Sequence, residues 1–193
     1  MRDKLVSIRC AVVWGAFMLL VLASSANAKE VYTGTVIGVG GPLGGVSRPF
    51  TLEIDGYTSK AESSRAVAVL AEGGQDRLLK ELESKRLGYF SLGGQLGRDL
   101  NFVQETRTAD RRRRIMILFA RWMNLYELRT GARSEDYPFS YVELFIDANG
   151  KGKGEGTFIP AARVYFDKKN GTLDVENFGI YPARLAGVEL RRS

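Results

Sequence analysis

Five side chains in the middle of this sequence combine the residue types that line binding pockets. They are Trp122, Tyr126, Arg133, Asp136 and Tyr137. Pockets for small molecules pair an apolar or aromatic wall with a few polar groups, so this set predicts a site for an apolar or sugar ligand. The residues around Arg133 have the composition of a loop, and loops on a rigid scaffold often hold function. An ordinary surface loop next to core aromatics fits the same spacing, and both interpretations stay open.

The missing residue types exclude several kinds of catalysis. The chain has no histidine, and its single cysteine is Cys10. A Ser-His-Asp triad and an imidazole base are therefore impossible. Hydrolysis by two carboxylates, as in glycosidases, remains conceivable. The nearest candidates are Glu135, Asp136 and Glu143, but nothing in the sequence selects a pair, and no cofactor is implied.

One glycine-rich loop has partial likeness to a calcium-binding loop. Asp147 and Asn149 match its first two ligand positions. However, Lys151 stands where an oxygen ligand is needed, and Phe158 replaces the glutamate that would bind the ion with two oxygens. A hairpin loop is favoured, and no metal is expected.

The first 28 residues follow the pattern of a secretory signal peptide. Basic residues precede an apolar run, and small residues ending at Ala28 follow it. The run is shorter than the ~20 apolar residues that a membrane span needs. We therefore expect cleavage before Lys29, export to the periplasm or the medium, no transmembrane segment after cleavage, and loss of Cys10 with the signal peptide.

The charge balance is basic but not concentrated. The chain has a formal net charge of +6 and a pI of about 9.5. The one basic run, 111–114, follows turn residues and is typical of a solvated hairpin tip, although it could also contact a phosphate or an acidic glycan. No nucleic-acid partner is expected. The remaining partners are a small ligand or an envelope protein.

The segments that must position these residues are mostly strands with alternating apolar residues. Roughly nine strands with regular turn signals predict a mainly β (α+β) fold, an antiparallel barrel or sandwich. Residues 29–193 are expected to form one domain. Residues 112–129 fit either a helix or two strands with a break near Arg121, and the short apolar run favours strands. An Asn170-Gly171 pair between alternating segments predicts a type I′ hairpin turn.

The pattern changes to a helical one at about 59–85. Ser59 and Glu62 form a capping-box pattern, and Gly73-Gly74 is expected to separate two short helices, 60–71 and 77–85. This two-helix insertion follows the second strand. We expect it to cover one opening of the sheet. Its apolar residues, which should face the β core, are Val67, Leu70, Leu78, Leu79 and Leu82.

Several runs resemble a family of uncharacterised exported bacterial proteins. They are residues 47–58, 136–139, 152–161 and 177–179, so the likeness covers most of the chain after residue 28. The resemblance implies a strand interpretation for 112–129. No activity is known for that family, so it implies no catalytic or binding residue.

Three functions remain after these exclusions. The favoured one is an exported, non-enzymatic barrel-like or sandwich protein that binds a small ligand, because closed antiparallel sheets often enclose one. The first alternative is an envelope module that contacts another protein or has a structural role. The second alternative is a carboxylate-based hydrolase.

Overall fold

The structure, a computed structural model, is mainly β. It describes residues 29–39, 44–121, 136–147, 152–177 and 182–191. The strands are β1 (Glu30–Ile37), β2 (Ser47–Ile54), β3 (Gly88–Leu92), β4 (Arg98–Asp99), β5 (Phe102–Arg107), β6 (Arg113–Ala120), β7 (Phe139–Ile146), β8 (Lys153–Asp167), β9 (Thr172–Asn177) and β10 (Ala183–Arg191). One helical element, α1 (Lys60–Leu82), lies between β2 and β3. Within the described residues, no helix is long and apolar enough to cross a membrane.

All ten strands belong to one antiparallel sheet. Its order is β4-β3-β2-β1-β10-β8-β7-β6-β5, and β9 pairs with β8 off this path. The path ends at β4 and β5, so the sheet is not closed. The mainly β, antiparallel prediction is confirmed, whereas the predicted barrel or sandwich is not.

The two ends of this path lie close together because they are consecutive in the chain. Only Leu100 and Asn101 separate β4 from β5. The Leu100 N–H donates to the carbonyl of Gly88, the first residue of β3, at 2.9 Å, and the Asn101 N–H donates to the Leu118 carbonyl of β6, at 3.1 Å. The Asn101 side chain then accepts from the Ala120 N–H at 2.9 Å. Residues 100–101 thus connect the two edges of a strongly curled sheet.

The concave face of this sheet encloses the main apolar core. Alternate residues point to opposite faces of a strand, and β6 follows this rule with Ile115, Ile117 and Phe119 in the main core and Leu118 on the other face. The fully buried residues of the main core include Tyr32. The sequence shows no alternation here, because residues 115–119 form a continuous apolar run, so it does not predict which of these side chains face the main core.

The helix packs on the convex face of the sheet. Ala66, Leu70, Leu78 and Leu82 are buried against a second cluster that includes Phe102. The prediction that the helices cover one opening of the sheet is thus wrong. An apolar stripe shows that a helix is buried, but it does not show which face of a sheet receives it.

The helix is a single element with a kink where the sequence predicted a separation. Gly74 has φ 72° and ψ −174°, which is not helical, so the expected two-helix insertion is not confirmed as such. The capping box at the start is confirmed. The Ser59 hydroxyl accepts from the Glu62 N–H, and the Glu62 carboxylate accepts from the Ser59 N–H.

The hairpin at Asn170-Gly171 is confirmed, but its predicted turn type is wrong. Asp167 pairs with Thr172, so residues 168–171 form a four-residue loop. Gly171 has φ +66°, whereas Asn170 is not among the residues with positive φ. A type I′ turn needs positive φ at both central residues. Here one left-handed glycine ends the loop, and its N–H donates to the Asp167 carbonyl at 2.8 Å.

Only part of the ambiguous segment 112–129 can be compared with the structure. Residues 113–120 form strand β6, which agrees with the strand interpretation and the predicted break near Arg121. Residues 122–129 lie outside the described residues.

Candidate functional site

The main core has an unfilled space at one end. We call this end of the curled sheet the open end. There the side chains leave a cavity of about 220 Å³. It is lined by Phe90, Leu92, Gln95, Arg98, Phe119, Ser140, Phe158 and Pro160. Many of these residues lie on the concave face of the sheet, which also supplies the main core. The cavity is therefore continuous with the apolar interior.

Aromatic rings form the floor of this cavity. The ring centre of Phe90 lies 5.8 Å from that of Phe50, 5.7 Å from that of Phe119 and 5.2 Å from that of Phe158, with tilted planes. Tilted pairs at this separation are a favourable aromatic geometry. The floor is therefore apolar and firmly packed.

One cation stands in the cavity wall. Arg98 is the register partner of Phe90, so both side chains lie on the same face of the sheet. Burial lowers the pKa of Arg98, and the charge of Asp99 opposes this effect. A guanidinium nevertheless stays protonated in proteins. The cavity thus combines an aromatic floor with a partly buried positive charge.

A second polar group, Ser140, is held in place. It is buried on β7, and its hydroxyl donates to the Pro160 carbonyl at 2.9 Å. The hydroxyl oxygen keeps its own acceptor capacity. Ser140 fixes the wall between β7 and β8 and offers one polar contact to a bound molecule.

The rim of the open end exposes large apolar side chains. Leu96, in the turn between β3 and β4, is 87% exposed, Val39 is 66% exposed and Ile37 is 40% exposed. Arg48 follows the alternation of Phe50 on β2, so it lies on the concave side at the same end, and it is exposed. The rim therefore mixes apolar and positively charged groups.

The opposite end of the core is closed by an ionic cluster around Arg113. Its guanidinium donates to Glu30 at 3.0 Å, to Glu105 at 2.8 Å and to the Tyr57 hydroxyl at 3.0 Å. The hydrogen bond to Glu105 is the main cause that raises the pKa of Arg113. Burial, followed by interactions with Glu30, raises the pKa of Tyr57. Together these groups form a structural plug.

The structure places the predicted site residues away from the cavity wall or outside its description. Asp136 is exposed, and its carbonyl accepts from the Gln75 side chain at 2.7 Å. Tyr137 is buried and donates to Glu176 at 3.2 Å. Neither lines the cavity. The other three, which follow β6 in the chain and lie outside the described residues, are Trp122, Tyr126 and Arg133.

The weak metal candidates receive no support from geometry. Asp147 is exposed, next to Lys153 and Arg184 in a shallow depression. Asn149 lies outside the described residues. Across the described ranges, no group of three or more acidic, cysteine or histidine side chains could hold a metal ion.

The carboxylates proposed for hydrolysis are not brought together in the described part of the chain. Glu143 forms an ion pair with Arg114 at 2.5 Å. Asp136 is exposed beside the helix kink, and Glu135 lies outside the described residues. Glu30 and Glu105, which the sequence did not single out, share one cation, the guanidinium of Arg113.

A larger polar groove of about 430 Å³ lies between α1, β5, β6 and the β8–β9 hairpin. Several of its polar groups already have partners. Gln104 donates to Ser63 at 3.1 Å, and Arg114 is paired with Glu143. Because these groups are already paired within the protein, they give no indication of a particular ligand for this groove.

The residues that line the cavity were missed by the sequence analysis. Alternation places Phe90, Phe119 and Phe158 inside, but it does not show which end of the interior stays unfilled. The signal in the sequence was Arg98, which follows the strand segment of Phe90 closely in the chain. An arginine at an inward-facing strand position is unusual, because arginine side chains are mostly exposed.

Comparison with known proteins gives no relative for this chain. No protein-family model, no curated protein and no solved structure matches it. The resemblance based on residues 47–58 therefore stays a prediction. The function must be argued from the geometry alone.

Proposed function

We propose that the chain is an exported, non-enzymatic, barrel-like binding protein that holds a small amphiphile with an anionic head group. The observation that carries this proposal is the open-end cavity, where aromatic rings and Arg98 share one wall. An apolar cavity with a few convergent polar groups is the default binding site of a structure without a known ligand.

The wall chemistry indicates the two parts of the ligand. Phe90, Phe119 and Phe158 offer an apolar surface that favours an alkyl or aromatic body. Arg98 offers a guanidinium, which binds carboxylates and other oxyanions through charge-assisted hydrogen bonds. A carboxylate on a medium-length alkyl chain matches both features.

The alternatives have weaker support. A protein-interaction or structural module would use the exposed rim, but it would not need a cavity in the core. A carboxylate hydrolase needs a reachable acid pair, whereas Glu30 and Glu105 are both bound by Arg113.

Titration calorimetry with two matched ligands tests the proposal. Octanoate and octylamine share the alkyl chain and differ in the charge of the head group. We expect octanoate to bind at least about tenfold more tightly, a difference of ~1.4 kcal/mol. Absence of octanoate binding would contradict the proposed function, and equal binding of both ligands would contradict the role of Arg98.

Variants of the wall locate the site. Arg98→Gln is expected to weaken octanoate binding about tenfold, because it removes the cation. Leu92→Trp is expected to abolish binding by filling the cavity. Arg86→Gln is the control, because Arg86 is exposed and pairs with Asp99 at 2.9 Å without lining the cavity. Loss of binding in the control would place the site elsewhere.

A further inference from the structure

We infer that the open end docks onto the surface of an anionic lipid bilayer, with Leu96 inserted among the lipids. The inference goes beyond the proposed function, because a bilayer can be bound whether or not the cavity holds an amphiphile. It rests on the distribution of exposed apolar side chains, on the rigidity of the turn that carries Leu96, and on the charge of the rim.

Exposed large apolar residues concentrate at this end of the molecule. In the described ranges, four such residues are exposed: Ile37, Val39, Leu96 and Tyr165. The first three belong to the open end, and only Tyr165 lies elsewhere, on the β8–β9 hairpin. Single exposed apolar residues are common, but a group at one end marks a contact surface.

The turn that carries Leu96 has a defined backbone conformation. Gly93 has φ +57° and Gly94 has φ +75°, a left-handed pair that glycine adopts without strain. The Gly93 N–H donates to the Pro49 carbonyl at 2.7 Å, and the Gln95 N–H donates to the Leu92 carbonyl at 3.0 Å. These bonds tie the turn to its own strand and to β2. Leu96 is thus presented on an ordered support.

The charge of the rim fits anionic lipid head groups. Arg48 is exposed at the mouth and forms no ion pair with another described residue, and Arg98 stands just inside it. The exposed carboxylate of Asp136 lies at the β7 side, next to the helix kink rather than next to Leu96. Residues 1–28 hold three of the basic residues and one of the acidic ones, so the chain from Lys29 onwards keeps a net charge of +4. Basic residues near an anionic bilayer each add to binding, and apolar side chains insert at the interface.

A bilayer is the occupant that suits this arrangement best. Leu96 and Val39 belong to different connections, β3–β4 and β1–β2, whereas a second copy of the chain would need one flat apolar face. The cavity opens at the same end, so an amphiphile could pass between the bilayer and the interior without crossing water. The surface and the cavity are therefore continuous.

Co-sedimentation with vesicles tests the inference. We expect the protein to bind vesicles that contain phosphatidylglycerol at least about fivefold more tightly than vesicles of phosphatidylcholine alone, and to lose this preference in high salt. Leu96→Ser is expected to weaken binding about tenfold. Arg48→Gln is expected to weaken it about fivefold, only on anionic vesicles.

Tyr165→Ser is the matched control, because it removes an exposed apolar side chain far from the open end. It should leave vesicle binding unchanged. Equal effects of Leu96→Ser and Tyr165→Ser would overturn the inference, and so would absence of vesicle binding. A dimer in analytical ultracentrifugation that Leu96→Ser dissociates would also overturn it, in favour of self-association.

The two proposals fail in separate measurements. Leu96 is not part of the cavity wall, so Leu96→Ser should keep the octanoate affinity of the parent protein. Vesicle binding without octanoate binding would remove the proposed function and keep the docking surface. Octanoate binding without vesicle binding would do the reverse.

Discussion

Arg113 organises the ionic cluster at the closed end of the core. Its guanidinium binds Glu30, Glu105 and the Tyr57 hydroxyl. The side chains of Arg113, Glu30 and Glu105 are each less than a third exposed. A carboxylate that loses its cation in such a place keeps the cost of partial burial without the compensating attraction.

The first prediction is that Arg113→Met destabilises the protein by about 2 kcal/mol, because it leaves Glu30 and Glu105 as neighbouring like charges. Urea unfolding measures the change. Arg86→Met serves as control and should cost less than about 1 kcal/mol, because it removes an exposed pair. Equal losses in both variants would contradict a special role for Arg113.

The second prediction concerns two turn residues with positive φ, one a glycine that adopts this conformation without strain and the other an arginine that does not. Gly171 has φ +66° and no atom near an added Cβ, so Gly171→Val should cost on the order of 1 kcal/mol or more through backbone strain alone. Arg111 also has φ 66°, but it is not a glycine. Arg111→Gly should therefore stabilise the protein by a few tenths to about 1 kcal/mol. Thermal melts that shift in the same direction for both variants would be inconsistent with this explanation.

Among the elements, helix α1 shows how local signals and tertiary placement differ. Ser59 and Glu62 mark its first turn in the sequence, because capping depends only on residues close in the chain. The kink at Gly74 is also local. The choice of the convex face depends on Phe102 and Leu118, residues that the helix meets only in the folded state. The start of the helix could thus be predicted, whereas its position could not.

The third prediction concerns the ion pair between Glu62, in the first turn of α1, and Lys85, three residues after the end of α1. Lys85 donates to Glu62 at 2.5 Å, and this bond, with those from Ser59, lowers the pKa of Glu62 from 4.5 to about 2. A lowered pKa in the folded state stabilises it above the ordinary pKa of the carboxyl, and this contribution is lost as the pH falls towards 2. Glu62→Gln keeps the cap but removes the charge. It should cost about 0.5 kcal/mol at pH 7.

Chemical unfolding of Glu62→Gln and the parent between pH 7 and pH 2 measures this effect. The difference between the two proteins should be constant down to about pH 5 and should shrink below it. A difference that stays constant to pH 2 would show that the charge of Glu62 is not responsible.

The strands show the same division between local and distant information. Period-two alternation indicates the inward residues of β2 and β7 from the sequence. Strand β6 is a continuous apolar run, because it has buried residues on both faces. The cavity at the open end is formed by β3, β4, β6, β7 and β8 together. The sequence of any one strand does not show that the inward side chains of all five leave a space unfilled. For this reason the sequence analysis placed the site on the loop residues near Arg133.

At the scale of the whole molecule, the sequence also did not predict that the strands form a single sheet that stays open. The number and type of strands follow from local patterns, but a barrel, a sandwich and one curled sheet share those patterns. Their difference lies in which edges are paired. Here residues 100–101 connect both edges by individual hydrogen bonds instead of a continuous ladder, and short connections of this kind have no signal of their own.

The fourth prediction concerns processing of the whole chain. We expect cleavage before Lys29, because residues 1–28 have the charged start, apolar run and Ala-Asn-Ala ending of a signal peptide. The first strand starts at Glu30, so cleavage there would leave β1 intact. N-terminal sequencing of the protein recovered outside the cytoplasm tests this. A recovered chain that still begins at Met1 would support an anchor instead.

The pairing of β1 with β10 has a consequence for the order of assembly. Val31 of β1 is the register partner of Arg191 of β10. Strand β1 therefore gains its second neighbouring strand only after β10 is present. Contacts between such distant segments fold slowly, since a long loop must close before they form. Until β10 has joined the sheet, β1 is held by β2 alone among the described strands, and the core stays incomplete.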